Sequence, residues 1–387
     1  MTNWIWAEMF TLGVLTVFLL RTTLAHVITW RYLRGREEPS RLSAELPSIS
    51  IIKPVRGLDQ EAEENFLSFT ESGYPAPLEV IFCVEEREDP AVPLIQRLIA
   101  NCQPPAPIRL VFSKRQDQRE LGKALNLIAG AKESKHDVLV LSDSDVRNTP
   151  GFLEELVRPL SDPRVGMSYA CPVYKGAKDW GAGLMALTVN ETILALAIAP
   201  PFAAIGSAMA IRKEVLRAIG GLTPLRHRIG VDAALGLAVR GKGYRIALIR
   251  SPVTIIHPRG RFTDWWRQIH RWLVTIRLYL GPRFLGIPFY TFPILWASLY
   301  FMLTLFAGSA ARGLAVMVLI LAARLSSLVL VNLFFAKEPA VWRYLWLLPA
   351  LEILTLTLWL ESYFNPYVVW RGKRYRVISD ATVRPVR

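Results

Sequence analysis

Two aspartates, two residues apart, are the clearest candidates for chemistry in this sequence. Asp143 and Asp145 follow the apolar run 138–141. The run predicts a buried β-strand that delivers both carboxylates to the carboxyl edge of a sheet, where open α/β folds bind ligands. Two acids there suit Mg²⁺ or Mn²⁺, which proteins hold through one or two carboxylates together with substrate phosphate oxygens. The competing interpretation is a solvated turn after a strand, and only the surrounding sequence distinguishes the two.

A third carboxylate, Asp232, opens an apolar helical pattern after Gly230. As a helix N-cap it needs no catalytic role, because Asp there satisfies free backbone N–H groups, and the local sequence favours this interpretation. A carboxylate at the mouth of a ligand site can instead take a proton from a hydroxyl within hydrogen-bond reach. His257 follows a predicted strand and is either a metal ligand or an ordinary loop histidine.

A segment rich in tryptophan and arginine, residues 262–279, predicts an amphipathic helix. Tryptophan and arginine together are typical of a helix that lies at a membrane interface. Gln268 and Arg271 fall one turn apart on one face of this helix, and Trp272 follows directly.

Residues 46–260 alternate predicted strands and helices, which indicates an α/β domain with a mixed or parallel sheet. The strand ends carry side chains that suit a nucleotide: Lys53, Pro54 and Arg56 in the first loop, Glu88 or Asp89 in the second, and Lys123 and Asn126 nearby. The sequence lacks a Gly-x-Gly-x-x-Gly fingerprint and a phosphate-binding P-loop, so a dinucleotide cofactor is disfavoured. A nucleotide diphosphate carried through a metal is the favoured ligand.

The composition indicates a membrane protein with a soluble middle. Hydrophobic residues make up 52% of the 387 residues, and the mean hydropathy is +0.28, with the excess near both ends. The net charge of +14 comes partly from cations beside apolar segments. An anionic membrane surface explains these cations better than a nucleic acid does. Three scattered cysteines indicate neither a disulfide framework nor a zinc site.

The apolar segments predict the membrane topology. Residues 4–30 are long enough to cross a bilayer at about 20 residues per crossing, and the basic cluster after them places the middle domain in the cytoplasm. Three further apolar stretches are 288–307, 314–335 and 342–360. Three crossings would leave the tail outside, although it is basic. We therefore expect one stretch to be re-entrant or interfacial and favour a cytoplasmic tail.

One more segment, residues 183–205, is unusually apolar for a soluble domain. It is either a buried core helix or a surface that dips into lipid to collect an apolar substrate. The predicted organisation is an N-terminal anchor (1–36), an α/β domain (46–260), an interfacial helix (261–284), C-terminal transmembrane helices (285–365) and a basic tail (366–387).

Together these motifs resemble the Asp, Asp, Asp, Gln-x-x-Arg-Trp series of inverting family 2-like glycosyltransferases with the GT-A fold. More narrowly, the chain resembles the ceramide glucosyltransferase family, family 21, with its bacterial ceramide and hopanoid relatives. The segments that carry this resemblance are 50–59, 82–84, Asp143-Ser144 with Arg147, and 370–376. The resemblance covers nearly the whole chain, from the N-terminal anchor to the basic tail.

The resemblance implies a GT-A domain, a Rossmann-like mixed sheet on the cytoplasmic face, between N-terminal and C-terminal transmembrane helices. It implies that Glu88 or Asp89 contacts the uridine, Asp143 the nucleotide-sugar and Asp145 a divalent cation. Asp232 becomes the general base, and Gln268, Arg271 and Trp272 frame the diphosphate and acceptor. The chain departs from the family pattern at Val231, where a second acid is usual.

The implied activity is transfer of glucose, or a related hexose or hexosamine, from a UDP-sugar to a lipid hydroxyl, most simply that of ceramide, with a β-linkage. The expected location is a bacterial inner membrane or a Golgi or ER-type membrane. A hopanoid or diacylglycerol acceptor, a processive polysaccharide synthase and a non-enzymatic lipid-binding scaffold are the alternatives. The sequence does not identify the acceptor, the sugar or the oligomeric state.

Overall fold

The computed structural model describes residues 2–34, 45–101, 106–198, 204–379 and 381–386. Its helices are α1 (Thr2–Arg34), α2 (Ala62–Thr70), α3 (Ala91–Asn101), α4 (Gly122–Glu133), α5 (Phe152–Val157), α6 (Trp180–Val189), α7 (Thr192–Ile198), α8 (Lys213–Ala218), α9 (Val231–Gly241), α10 (Phe262–Leu280), α11 (Ile287–Thr291), α12 (Pro293–Phe306), α13 (Ala310–Val329) and α14 (Leu348–Phe364). Its strands are β1 (Ile49–Pro54), β2 (Leu78–Val84), β3 (Ile108–Phe112), β4 (Val138–Ser142), β5 (Val146–Arg147), β6 (Val165–Tyr169), β7 (Pro172–Lys175), β8 (Ala208–Arg212), β9 (Arg245–Leu248), β10 (Val253–Ile256), β11 (Tyr367–Trp370), β12 (Lys373–Val377) and β13 (Val383–Pro385).

The chain divides into two compact units, and neither is continuous in sequence. The helical unit comprises residues 1–35, 176–200 and 259–369, and the sheet unit comprises 36–175, 201–258 and 370–387. Residues 176–200, which the sequence places inside the 46–260 domain, thus belong with the helices. The basic tail belongs with the sheet.

The sheet unit contains the mixed sheet that the sequence predicts. Over the described residues it has seven strands in the order β3-β2-β1-β4-β8-β6-β9. Strands β1, β2, β3 and β4 run parallel, whereas β8 runs antiparallel to both β4 and β6. All residues of β1 and β4 are buried, which explains why they are the apolar runs of the sequence.

Two smaller sheets complete the sheet unit. Strand β10 pairs antiparallel with β5 and parallel with β7. Strands β12 and β13 pair antiparallel, with Tyr375 opposite Pro385 and Val377 opposite Val383. The tail, for which the sequence predicts no strands, is therefore folded.

The helical unit is built on close packing among α1, α12 and α13. Their shared core consists of Leu15, Phe18, Ala297, Tyr300 and Ile320. Gly313 allows α13 to approach α12, since a Cβ there would lie only 2.9 Å from the ring of Phe301. Small residues permit such close helix contacts in membranes.

Three helices of the described chain are long and apolar enough to cross a membrane: Trp4–Arg31, Ala310–Phe335 and Pro339–Phe364. A fourth candidate, Phe262–Thr291 with Pro293–Phe306, is bent by 61° at its break. Large apolar side chains on these helices face outward, among them Phe306, Val318 and Phe364. The protein is therefore a membrane protein, with an apolar exterior suited to lipid.

Candidate active site

The loop between β4 and β5 holds the acidic pair and is fixed by its neighbours. The backbone N–H of Asp143 donates to Ser207 O at 3.0 Å, and Lys53 Nζ donates to Asp143 O at 2.8 Å. The hydroxyl of Ser144 donates to a carboxylate oxygen of Asp59. These hydrogen bonds hold the loop that carries both aspartates at the end of the central strand, β4.

The carboxylate of Asp143 is paired, whereas one oxygen of Asp145 is not. Lys123 Nζ lies 2.5 Å from Asp143 Oδ1, and the nearby carboxylates raise the pKa of Lys123 although burial acts to lower it. Asp145 Oδ1 is buried without a hydrogen-bond partner among the described residues. Burial, followed by the charges of Asp143 and Asp59, raises the pKa of Asp145 to about 7. The pair is short of positive charge.

A divalent cation fits this deficit, because an unpartnered buried carboxylate oxygen is the donor that Mg²⁺ and Mn²⁺ prefer. No group of three His, Cys, Asp or Glu side chains suited to a metal occurs within the described part of the chain. The protein would then contribute the aspartates, and phosphate oxygens would complete the shell. His257, at the end of β10, stands edge-on to Tyr174 with ring centroids 5.6 Å apart, and its role as a metal ligand stays a prediction.

Three residues predicted to bind the nucleotide lie beneath the surface. Lys53 is fully buried, and burial lowers its pKa to about 7. Pro54 is the buried last residue of β1. Asn126 accepts from Ser113 Oγ at 2.6 Å and donates to Val55 O at 3.2 Å. Lys53 and Asn126 thus help to hold the strand ends and the acidic loop in place, and nucleotide binding by the three residues stays a prediction.

Glu88 and Asp89, the two candidates in the acidic loop after β2, differ in burial. Asp89 is buried, and its carboxylate accepts from the N–H of Gly57 and of Ala91, so it ties the first loop to the start of α3. Glu88 is exposed. Sequence reasoning did not single out Glu85, the first residue after β2, which pairs through two oxygens with Arg115. Hydrogen bonding to Arg115 lowers the pKa of Glu85.

The N-cap interpretation of Asp232 is wrong. Helix α9 begins at Val231, and its N-cap is Gly230 with φ of 67°. Asp232 therefore lies in the first turn, where a carboxylate is favoured by the helix dipole. Gly206 lies against it, since a Cβ at Gly206 would be 2.5 Å from Asp232 Cβ. Lys123 Nζ also reaches Gly206 O at 3.4 Å, which connects Asp143 with the backbone beside Asp232.

The Gln-x-x-Arg-Trp residues lie in α10 of the helical unit. Gln268 Oε1 accepts from Arg271 Nη2 at 2.7 Å, so both side chains lie on one face, as the spacing predicts. Trp272 follows, and all three are half-buried. Trp265 Nε1 donates to Thr188 Oγ1 at 3.0 Å, which fixes α10 against α6.

The mixed sheet, with an Asp-x-Asp pair at the carboxyl end of its central strand, has the GT-A fold. A mannosyltransferase from Pyrobaculum calidifontis, solved in complex with GDP-Man and Mn²⁺, shares the fold with a TM-score of 0.50 and 18% identity. The likeness covers 92% of this chain and 99% of that chain.

The particular family follows from the sequence match. The model of glycosyl transferase family 21 matches residues 11–383, and the chain belongs to this family. Ceramide glucosyltransferase 1 of Caenorhabditis elegans is 21% identical over 95% of this chain and 80% of the relative. Ceramide glucosyltransferase 3 of the same organism is 23% identical over 70% of this chain and 59% of its own length.

Proposed function

We propose that this glycosyltransferase transfers glucose from UDP-glucose to the hydroxyl of ceramide and forms a β-linked glycolipid. The observation that carries the proposal is the Asp143–Asp145 pair, short of one counter-charge, in a family 21 chain. The names of the relatives support ceramide as acceptor and glucose as the sugar.

The donor is held through its diphosphate in this proposal. Asp145, with Asp143 beside it, would hold a divalent cation, and the bound cation would neutralise charge on the departing diphosphate. Lys123 keeps the Asp143 carboxylate oriented at 2.5 Å. Gln268 and Arg271, hydrogen-bonded to each other, and Trp272 are the residues proposed to frame the diphosphate and the acceptor.

Asp232 acts as the general base. It takes the proton from the acceptor hydroxyl, and the oxygen then attacks the anomeric carbon on the face opposite the diphosphate, which inverts the configuration. Its place in the first turn of α9, against Gly206 and not at the N-cap position, supports this role.

We place catalysis on the cytoplasmic face, as the basic cluster after α1 predicts. Membership of the tail in the sheet unit supports this topology. The chain leaves the sheet unit after residue 258 and returns at residue 370, so an even number of crossings must lie between them. With α1 entering from outside, the tail is then cytoplasmic, and one apolar stretch is interfacial or re-entrant, for which the bent helix pair is the candidate.

The test is an incubation of purified protein in nanodiscs with UDP-glucose, UDP-galactose or UDP-N-acetylglucosamine and with ceramide, diacylglycerol or a hopanoid alcohol. Mass spectrometry should show one glucose per ceramide, lost with EDTA and restored by Mg²⁺ or Mn²⁺. NMR coupling should identify the β-anomer. A polymeric product would establish a polysaccharide synthase instead, and absence of UDP release with every acceptor would indicate a lipid-binding scaffold.

A further inference from the structure

The basic tail is anchored beside the donor side of the sheet unit. Val383 N donates to His227 O, and Ile229 N donates to Ala381 O, both at 2.9 Å. These bonds fasten the β12–β13 hairpin to residues 227–229, directly before the helix that carries Asp232. A segment fixed there by its backbone can present side chains to the site.

Arg371 is the tail residue that reaches the acidic loop. Its Nη1 lies 3.4 Å from Asp59 Oδ1, while Asp59 Oδ2 accepts from the hydroxyl of Ser144. Ser144 stands between Asp143 and Asp145, so a two-step chain of contacts connects the tail to the acidic pair. The positive charge of Arg371 acts on Asp145, where it opposes the rise in that carboxyl's pKa.

The backbone at Arg371 is strained. Its φ is +48°, and Gly372 follows with φ of +77°, in the two-residue turn between Trp370 and Lys373. Turns with two positive φ values favour Asn-Gly, and a long side chain at the first position is disfavoured. Strain of this kind persists at functional sites, where the side chain offsets its cost. Asparagine would suit the first position of this turn better than arginine does. We therefore attribute the arginine to a function of its guanidinium group.

The chemistry of the side chain identifies its ligand. A guanidinium presents paired N–H donors that match phosphate oxygens in two-point contact. The Arg371 side chain is 44% exposed and that of Asp59 20% exposed, so the ion pair is accessible and can exchange partners. Lys373, two residues on, is also exposed, and its charge acts on Glu85 at the end of β2.

We infer that residues 370–377 form a strap over the donor pocket, and that Arg371 binds the diphosphate of the nucleotide-sugar. Without donor, Asp59 holds the guanidinium beside the acidic loop. With donor, Arg371 exchanges its contact with Asp59 for the diphosphate oxygens. The inference rests on the proposed use of a nucleoside-diphosphate sugar, and it adds a donor-binding residue from a part of the chain 226 positions beyond Asp145 (371 − 145).

The decisive variant is Arg371→Asn in the full-length protein, because asparagine suits the positive φ of this turn. We expect an unchanged or higher thermal midpoint, UDP affinity reduced about tenfold in the presence of Mg²⁺, the loss typical of a charge-assisted contact, and a matching rise in the donor KM. The acceptor KM should stay constant. Arg371→Lys should recover part of the affinity. The control is Arg384→Gln, which removes the same charge from an exposed position on β13.

Calorimetric titration of UDP separates the outcomes. If the wild-type protein binds no UDP and releases none from any UDP-sugar, the proposed function fails. If the wild-type protein binds UDP and Arg371→Asn binds it equally well, the strap is wrong and the proposed function stands. An equal loss in Arg371→Asn and Arg384→Gln would show a general effect of net charge and would also overturn the inference.

Discussion

The two units each contain a cluster of charged side chains, and the clusters are built differently. In the helical unit Arg324 pairs with Glu191 and lies 4.0 Å from Glu352. Glu352 Oε2 also accepts from the N–H groups of Ile294 and Leu295 at 2.9 and 3.0 Å, at the start of α12. All three ionic side chains are at most 14% exposed.

In the sheet unit the carboxylates of Asp59, Asp143 and Asp145 meet Lys123 and Arg371. Asp143 is 30% exposed and Asp59 20% exposed, and Asp145 keeps an unpartnered oxygen. Charge that supports a fold is enclosed and meets opposite charge or a helix N-terminus. Buried atoms without a hydrogen-bond partner occur in both clusters of the described chain, so exposure is what distinguishes them. The sheet cluster is the more accessible one, as the proposed donor site requires.

The largest effect is expected from a substitution of the proposed general base, Asp232, in the sheet unit. Asp232→Asn should lower kcat about a thousandfold, the range of a positioned general base, and leave UDP affinity within about twofold, since asparagine keeps the shape but cannot take the proton. Steady-state kinetics and UDP titration check this. Glu214→Gln, at a side chain 70% exposed, is the control. Full activity in Asp232→Asn would remove this residue from the base assignment.

A smaller effect is expected from moving the base rather than neutralising it. Gly206→Ala places a Cβ 2.5 Å from Asp232 Cβ, so α9 or the 206 loop must shift, and displacement by about 1 Å can lower kcat about a hundredfold. Gly241→Ala, at the other end of α9 where a Cβ meets nothing within 4 Å, should keep its activity. Equal rates in both variants would contradict the close placement of Gly206.

A substitution in the enclosed cluster of Arg324, Glu191 and Glu352 should change the stability of the protein rather than its affinity for the donor. Glu352→Gln removes the charge beside Arg324 and weakens the bonds to the start of α12, which costs about 1–3 kcal/mol for buried, charge-assisted bonds. Thermal unfolding in detergent should show the loss, with the UDP Kd unchanged. Glu63→Gln, which breaks an ion pair about half-exposed on both sides, should cost under about 1 kcal/mol. A changed UDP Kd in Glu352→Gln would contradict the assignment of this cluster to stability alone.

The smallest effect concerns an enclosed carboxylate inside the sheet unit. Glu79 is buried and accepts from Ser50 Oγ and Lys135 N at 2.7 Å. Burial acts to raise its pKa, but these bonds and Arg109 outweigh burial and lower it.

Because the folded-state pKa of Glu79 is depressed, its contribution is present above the unfolded pKa of about 4.3 and is lost as the pH falls through the folded value. Glu79→Gln should therefore cost about 1–2 kcal/mol at pH 7 and progressively less below about pH 4. Thermal midpoints between pH 3 and 8 measure the difference, and a gap that widens in acid would contradict the assignment.

The sequence predicts the elements that depend on local pattern. The apolar run before Asp143 is a buried strand, and residues 262–280 form the helix that places Gln268 and Arg271 on one face. Strands β1 and β4 lie in the interior of the sheet and are buried along their whole length, which favours apolar residues at nearly every position.

The sequence pattern does not predict contacts between residues that are far apart in the chain. Asp59 and Arg371 are 312 positions apart, and no periodicity connects them. The membership of residues 176–200 in the helical unit depends on tertiary packing such as that of Gly183 against Tyr344. The backbone partners of Asp89, which distinguish it from the exposed Glu88, likewise depend on tertiary contacts.

The tail hairpin did leave a signal. Tyr375 and Val377 are buried and alternate with the exposed Arg374 and Arg376, the period-two pattern of a strand with one covered face. Arg371-Gly372 before it is a two-residue turn. The dense positive charge of this segment was used only to predict its side of the membrane, so both features were missed.

The position of the strap along the chain also sets an order of events during synthesis. Residues 370–377 leave the ribosome after every helix of the helical unit, so the donor pocket lacks Arg371 until those helices have been made. At about 5–20 residues per second, translation of the 112 residues from 259 to 370 (370 − 259 + 1) takes about 6–22 seconds. During that interval the nascent sheet unit would bind donor weakly. If Arg371 binds the donor as proposed, full donor affinity follows only after the residues of the helical unit have been made.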